Sequence, residues 1–396
     1  MLNVNKVTQN FQAGMFKNKA NCIVGKMLSN PRDKDAKYQL SYRSIWTLMQ
    51  LTAKQFNINY VIFYPKDIHF ERATVDAYFC ETGVKLTQKE IPIPRIVDNV
   101  FYQIQEDEKG VRHDVDRYLE KIGCVIMRKN LGLSKEKTFE VIEKSDEYKD
   151  LIIPYKKTAD WETVEQALSE WGDIVIKPNN GVHGHNIVRI TKKDGDKYEM
   201  SLDTVLSEYD LAGLKTWWNE LESKDQCIQK YIDARTSKGE PFDFRVRSVK
   251  DLKGNFVCHI YPRVGSGKGH VSNIDSGGYT LPLEYFLKQN FENPDDIKNQ
   301  LTKFGNEFPK FLEPHLANKI FDLGLDITVC NENGNIKYYM FEANSFPGFD
   351  PMMDNAADAL HMCNTYFNAY LTTFLQYINK PNDRGQTYVW NDVGLL

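Results

Sequence analysis

The stretch that most restricts the fold runs from Pro241 to Ser248 and reads PFDFRVRS. From Phe242 to Arg247 its apolar and polar residues alternate strictly. On a strand that period puts Asp243, Arg245 and Arg247 on one face and Phe244 and Val246 on the other. A turn, KDLKGN, and a second apolar run, FVCHIYPRV, complete a hairpin. A like hairpin follows further on, built from GLDITV, a turn NENGN and IKYYMFEAN. The region from Cys227 to Asn344 is therefore expected to be dominated by antiparallel strands.

The chain before it has another rhythm. NCIVGKML, NYVIFYP and CVIMR read as strands, with helices over SYRSIWTLMQLTAKQFN and RHDVDRYLEKIG, which implies a small parallel sheet near residues 20–130. Between the two regions, KEKTFEVIEK, WETVEQALSEW and LSEYDLAGLKTWWNELES read as helices, and DIVIKP and HNIVRIT as strands. A helix over AADALHMCNTYFNAYLTTFLQYI and a docked or loose tail are expected at the end. At 396 residues, with 41% hydrophobic and 26% charged, this is globular composition large enough for two or three domains.

The last hairpin carries the strongest chemical signal. A three-residue loop, Asn333 to Asn335, sets Asp326 opposite Glu342 and Ile327 opposite Phe341. One face then bears Asp326, Thr328, Met340, Glu342 and Asn344, and the other Ile327, Val329, Tyr339 and Phe341. A two-residue turn would put Asp326 and Glu342 on opposite faces, so the hydrophobic alternation favours the longer loop. Two carboxylates at ~4 Å repel by ~1 kcal/mol in water and ~4 kcal/mol at an effective dielectric near 20. A shared proton would relieve this, and so would Mg²⁺, which takes one or two carboxylates plus phosphates and waters. An exposed polar face on an edge hairpin would carry the same residues.

Cations at strand spacing fit the same job. Arg245 and Arg247 can clamp anionic oxygens with a planar fork, and YPRVGSGKGHVSNIDSGG adds Arg263, Asn273 and the Gly277-Gly278 pair. Lys177 ends an apolar strand, where a point charge can reach phosphates. Asn180, Gly181 and Gly184 follow it in a loop whose N–H groups can turn inward over a triphosphate. That loop is not a Walker motif, because no Gly-Lys-Ser/Thr and no helix follow.

The ordered set IVIKPNNGVHG, CIQKYI, PFDFRVR, GLDITV and YMFEANSFPG resembles the ATP-grasp superfamily, and YVIFYPKDIHFERATVDAYF, IPIPRIVDNVF, FDFRV and SNIDSGG are similar to the YheC/YheD-like, endospore coat-associated family. The resemblance covers roughly residues 20–375. It implies an α/β and α+β chain with the ATP-grasp fold after an N-terminal βαβ (pre-ATP-grasp) domain. The expected divisions are 1–130 for that domain, 131–228 for a lid subdomain, 229–380 for the subdomain with the metal site, and 381–396 for a tail.

The resemblance further implies ATP and Mg²⁺ as cofactors. Lys177 would contact the α and β phosphates, with Lys137 as a second phosphate lysine and Lys135 as its substitute. Gln229, Lys230, Tyr231 and Ile232 would lie against adenine, and Asp233 would reach the ribose. Asp326, Glu342 and Asn344 would hold the metal. Arg245 and Arg263 would face the γ-phosphate and the acyl group, with Asp243 orienting Arg245. The loop departs from the family's Gly-Ser-x-Gly-Arg-Gly: Val182, His185 and Asn186 replace its serine, arginine and last glycine.

The activity implied is an ATP-dependent carboxylate-amine ligase working through an acyl phosphate, with an amino acid, a peptide or a sugar-linked acid among the substrates. A phosphotransferase and a non-catalytic, coat-associated nucleotide binder are the alternatives. The formal net charge of −4 gives no electrostatic case for nucleic acid or an anionic membrane. No signal peptide or membrane span is read, and seven scattered cysteines without a Cys-x-x-Cys pair fit reduced cytoplasmic thiols.

Overall fold

The computed structural model describes residues 22–28, 49, 53, 58–80, 86–99, 104–127, 131–158, 160–179, 187–202, 205–221, 225–251, 254–265, 272, 277–345 and 347. The expected C-terminal helix, the tail and most of the first helix lie outside them. Of that first helix, Met49 and Ala53 are described, helical and buried.

The first sheet collects β1 (Cys22–Met27), β2 (Ile58–Phe63), β3 (Ile68–His69), β4 (Thr74–Cys80), β5 (Leu86–Pro92), β6 (Ile96–Asn99) and, after a small hairpin of β7 (Ile104–Glu106) and β8 (Arg112–Asp114) and helix α1 (Val115–Lys121), β9 (Val125–Ile126). Strands β2, β1, β6 and β9 pair in parallel, as the βαβ rhythm predicts. Their apolar runs are buried on both faces, which parallel strands need. The sheet also extends through an antiparallel β3–β4–β5 meander that the rhythm does not predict. Lys26 and Asp98 face each other across β1 and β6 as a buried ion pair at 2.9 Å.

Next come α2 (Lys135–Glu143), β10 (Tyr155–Thr158), α3 (Trp161–Trp171), β11 (Asp173–Pro178), β12 (Val188–Lys192), β13 (Tyr198–Leu202), β14 (Val205–Tyr209), α4 (Leu211–Glu220) and β15 (Gln226–Lys230). The six strands form an antiparallel sheet in the order β10-β15-β11-β12-β13-β14. Helices α3 and α4 cover one face, where Val164, Leu168, Leu214 and Trp218 pack on Ile174, Ile176, Ile190 and Ile228. Both helices start at an aspartate cap, Asp160 and Asp210, each accepting a backbone N–H. Leu206 to Tyr209, expected as helix, is strand β14, and the helix starts only after the Asp210 cap.

The third sheet holds β16 (Phe242–Lys250), β17 (Phe256–Val264), β18 (Tyr279–Thr280), and, after helices α5 (Leu283–Asn290) and α6 (Pro294–Leu312), β19 (Asp322–Glu332) and β20 (Asn335–Asn344). Its order is β18-β17-β16-β19-β20, all antiparallel. The two helices interrupt the expected run of strands. Ile297, Leu301, Phe304, Phe308 and Leu312 of α6 form an apolar stripe against Phe244, Val246, Leu323, Leu325 and Ile327. Gly305 permits the closest approach: a Cβ there would come within 2.4 Å of Cys258 Cβ. Leu131, Ile142, Tyr148 and Leu151 join this same core, so α2 packs with the third sheet.

The last hairpin corrects one expectation and keeps its consequence. The turn has two residues, with Glu332 paired to Asn335 and positive φ at both Asn333 (55°) and Gly334 (86°). The register then shifts between Asp326 and Ile327, so that Ile327 opposes Met340 while Asp326 still opposes Glu342. Phe341 is the extra residue of a β-bulge. Met340 therefore enters the core beside Ile327, and Tyr339 opposes Thr328, the reverse of the expected faces.

Candidate active site

The third sheet has one apolar face against α6. The opposite face is polar, because alternation along each strand puts every second residue there. Asp243, Arg245 and Arg247 of β16 face Arg263, Tyr261 and His259 of β17, and Arg245 also faces Asp326 of β19. Asp326 faces Glu342, and Gly324 faces Asn344, on β20. Most of these polar groups are buried, and ion pairs hold them there.

Arg247 and Asp322 are both fully buried and joined by two hydrogen bonds of 3.2 and 2.7 Å. Arg245 grips Asp326 with both Nε and Nη2, the second at 3.1 Å. Arg263 donates from Nε to Asp243 at 2.7 Å and reaches Asp326 through Nη2 at 2.9 Å. The expected Asp243–Arg245 contact is thus replaced: Asp243 orients Arg263, its direct cross-strand partner, and Asp326 orients Arg245. Burial opposes the charge on Asp326, but Arg245 and Arg263 outweigh it and hold the carboxyl below the usual range.

Asp326, Glu342 and Asn344 come together as the alternation predicts. The Asn344 amide donates to Glu342 Oε1 at 2.9 Å and to Asp326 Oδ2 at 3.3 Å. Two carboxylates joined through one amide supply oxygen donors of the kind Mg²⁺ takes, the amide doing so once its oxygen turns to the ion, with Glu342 the carboxylate not gripped by arginine. A second group of metal-type side chains, His69, Asp76 and Glu90, has donor atoms within 4.8 Å of one another. Arg72 and Thr74 already occupy Glu90 there.

One lysine comes from the second sheet and another from α2. Lys177, 7% exposed, is the last residue but one of β11, on the face away from the helices and opposite Cys227. Its Nζ donates to the Phe341 carbonyl at 3.2 Å, the carbonyl of the bulge residue. Burial drives the Lys177 ammonium down to about 8 from the usual 10.5, more strongly than Cys227, Glu342 and Asp326 raise it. Lys135, the first residue of α2 after the Ser134 cap, lies 3.6 Å from Glu342 Oε2 and 3.5 Å from the Pro178 carbonyl. Lys137, one turn-step further on, has its backbone N–H on the Ser134 hydroxyl and makes neither contact. The lysine brought to the site is therefore Lys135.

Among the residues expected against adenine, Gln229 is buried in β15 on the Lys177 face, and its Nε2 has no hydrogen-bond partner among the described residues. Lys230 and Ile232 flank Tyr231, whose ring lies 3.7 Å beneath the Arg189 guanidinium. Asp233 is occupied by Arg235 at 2.7 Å and by the Tyr231 hydroxyl at 3.3 Å. Asn180, Gly181, Gly184 and Asn273 lie outside the described residues. Sequence reasoning missed Tyr261 and Asp322; facing partners for Arg245 and Arg247 were the signal that could have found them.

No helix among the described residues is long and apolar enough to cross a membrane. The chain is 26% identical over 296 residues to the endospore coat-associated protein YheD of Bacillus subtilis (strain 168), covering 72% of this chain and 64% of that protein. It thus spans less than two thirds of that relative's length. Among solved structures, D-alanine–D-alanine ligase from Bacillus anthracis overlaps 90% of this chain and 98% of its own, at 14% identity and a TM-score of 0.49. A Chryseobacterium gregarium RiPP-associated ATP-grasp ligase, in complex with ADP and a leader and core peptide, overlaps 93% and 100%, at 11% identity and a TM-score of 0.44. Overlaps this loose leave the assignment to the sequence match: the YheC/D-like ATP-grasp family model covers residues 125–371, well over half of the protein, and the chain belongs to that family.

Proposed function

We propose that the protein is an ATP-dependent ligase that activates a carboxylate as an acyl phosphate and joins it to an amine. The observation that carries this reading is the convergence of three elements at one point: Lys177 of β11 and Lys135 of α2 reach Phe341 and Glu342 of β20, next to Asp326, Asn344, Arg245 and Arg263. A triphosphate and a carboxylate are the ligands such a mixture suits. The lysines bear on the phosphates as point charges, and the guanidinium edges of Arg245 and Arg263 not spent on Asp326 and Asp243 take the transferring phosphoryl and the acyl oxygens. Mg²⁺, held by Asp326, Glu342 and Asn344, would neutralise phosphate charge when bound.

In the first step a carboxylate oxygen attacks the γ-phosphorus, forming an O–P bond as the bond to ADP breaks. In the second, the amine nitrogen attacks the acyl carbon and inorganic phosphate leaves with the bonding pair, the amine giving up a proton. Phosphoryl transfer needs positioning and charge more than covalent help, which accords with the lack of a Ser or Cys nucleophile in the reading. ADP release in the presence of amino-acid and peptide pools, with hydroxylamine added, tests the proposal. A hydroxamate is expected. ADP release without hydroxamate would point to a phosphotransferase. A second reading, ATP binding without turnover, draws on the two guanidinium contacts that occupy Asp326; it predicts stabilisation by ATP and no ADP.

A further inference from the structure

Tyr261 is not accounted for by the phosphate and metal groups. It lies in β17 directly opposite Arg245, and Arg263 stands two residues along the same strand. The side chain is 6% exposed, yet its hydroxyl has no hydrogen-bond partner among the described residues. Buried hydroxyls rarely go unpaired, because a lost partner is not replaced by water. Burial keeps this phenol above its ordinary value, against the pull of Arg245, Arg247 and Arg263, so it stays protonated at neutral pH. The guanidiniums beside it are donors only. What the hydroxyl lacks is an acceptor, and the surrounding charge favours an anionic one.

Its place in the sheet says which one. Glu342, Asp326, Arg245 and Tyr261 form one row, each directly opposite the next across β20, β19, β16 and β17. At ~4.8 Å per strand, Tyr261 is roughly 14 Å from the Glu342 end of that row. Lys135 and Lys177 touch that end. On the function proposed above, a triphosphate entering over the lysines would point its terminal phosphoryl along the row toward Arg245, and the group that receives the phosphoryl would sit beyond it.

We infer that the Tyr261 hydroxyl, beside Arg245, binds a carboxylate oxygen of the acyl substrate: the oxygen that stays on carbon while its twin takes the phosphoryl group. This rests on the acyl-phosphate reading above. The hydroxyl keeps its hydrogen bond throughout the first step, because that oxygen becomes the carbonyl of the acyl phosphate. When the amine adds, the same oxygen gathers negative charge, and a donor already aimed at it stabilises that charge.

Acetyl phosphate, the smallest acyl phosphate, is the probe. Titrated calorimetrically into the full chain saturated with ADP and magnesium, it is expected to bind the wild type and to bind Tyr261→Phe at least about ten-fold more weakly, with ADP affinity unchanged within about two-fold. The thermal midpoint of ligand-free Tyr261→Phe is expected to equal or exceed that of the wild type, because the hydroxyl has no partner among the described residues to lose. Equal acetyl phosphate affinity in the two proteins overturns the assignment. So does a wild type that fails to bind the probe, or a variant whose midpoint falls by several degrees, which would reveal a structural partner. A separate arm follows ATP formed as the phosphoryl passes from acetyl phosphate to ADP and acetate leaves. Tyr261-dependent binding without ATP formation would keep the subsite and sink the acyl-phosphate reading.

Discussion

Replacing Lys177 with methionine should make the ligand-free protein more stable, and on the function proposed above it should weaken nucleotide binding. The native fold holds the ammonium almost out of water, and its pKa falls from 10.5 to about 8. At ~1.36 kcal/mol per pH unit, that gap corresponds to roughly 3 kcal/mol of unfavourable burial of the charged form at neutral pH. Methionine keeps the apolar stem but drops the hydrogen bond to the Phe341 carbonyl, at a cost of about 1 kcal/mol. The net expectation is a gain of about 2 kcal/mol at pH 7, read as a shift in the urea midpoint. The sign of the pH dependence follows from linkage. Between about pH 8 and 10.5 the unfolded wild type holds a proton that the folded one has released, so wild-type stability rises with pH and the advantage of the variant shrinks. A Lys177→Met protein that is less stable than wild type at pH 7, or whose advantage is the same at pH 7 and pH 10, would refute the reasoning.

Arg247→Met removes the two-pronged guanidinium contact from buried Asp322 and should cost about 3–5 kcal/mol, whereas the double change Arg247→Met with Asp322→Leu should recover most of it; chemical denaturation of the wild type and the two variants checks this. Lys135→Ala should raise the KM for ATP by about ten-fold or more and Lys137→Ala by less than about two-fold, since only Lys135 reaches Glu342; steady-state ADP release measures both. Gly305→Ala should destabilise by about 1–3 kcal/mol despite alanine's better helix propensity, because its Cβ would meet Cys258 Cβ at 2.4 Å and Val246 Cγ1 at 2.8 Å; thermal unfolding reads it.

Much of the site was legible because strand alternation is a strong rule. PFDFRVRS placed its cations correctly on one face, and GLDITV with YMFEAN brought Asp326, Glu342 and Asn344 together. What escaped was pairing between elements distant in sequence. Nothing in β16 alone says that Arg245 will take Asp326 while Arg263 takes Asp243; that follows from which strands become neighbours. Lys135 and Lys137 are two positions apart on one short helix and so point about 200° apart, and only the packing of α2 decides which of them meets Glu342. Leu206 to Tyr209 read as helix because a strong helix begins just after them, and the Asp210 cap marks the true start. The β-bulge was missed because a bulge and a longer turn give the same pairing at the hairpin's base.

That bulge has an effect on how the hairpin tolerates change. A slipped residue at Phe341 lets the outer and inner halves of β20 keep separate phases: the tip is timed by the Asn333-Gly334 turn, the base by the pairing of Asp326 with Glu342. It also takes one carbonyl out of regular pairing, and Lys177 uses it. Length changes at the tip can therefore be absorbed before they reach the carboxylates. Straightening the kink by deleting Phe341 would turn either the carboxylates or the core residues over, and would strand the lysine as well.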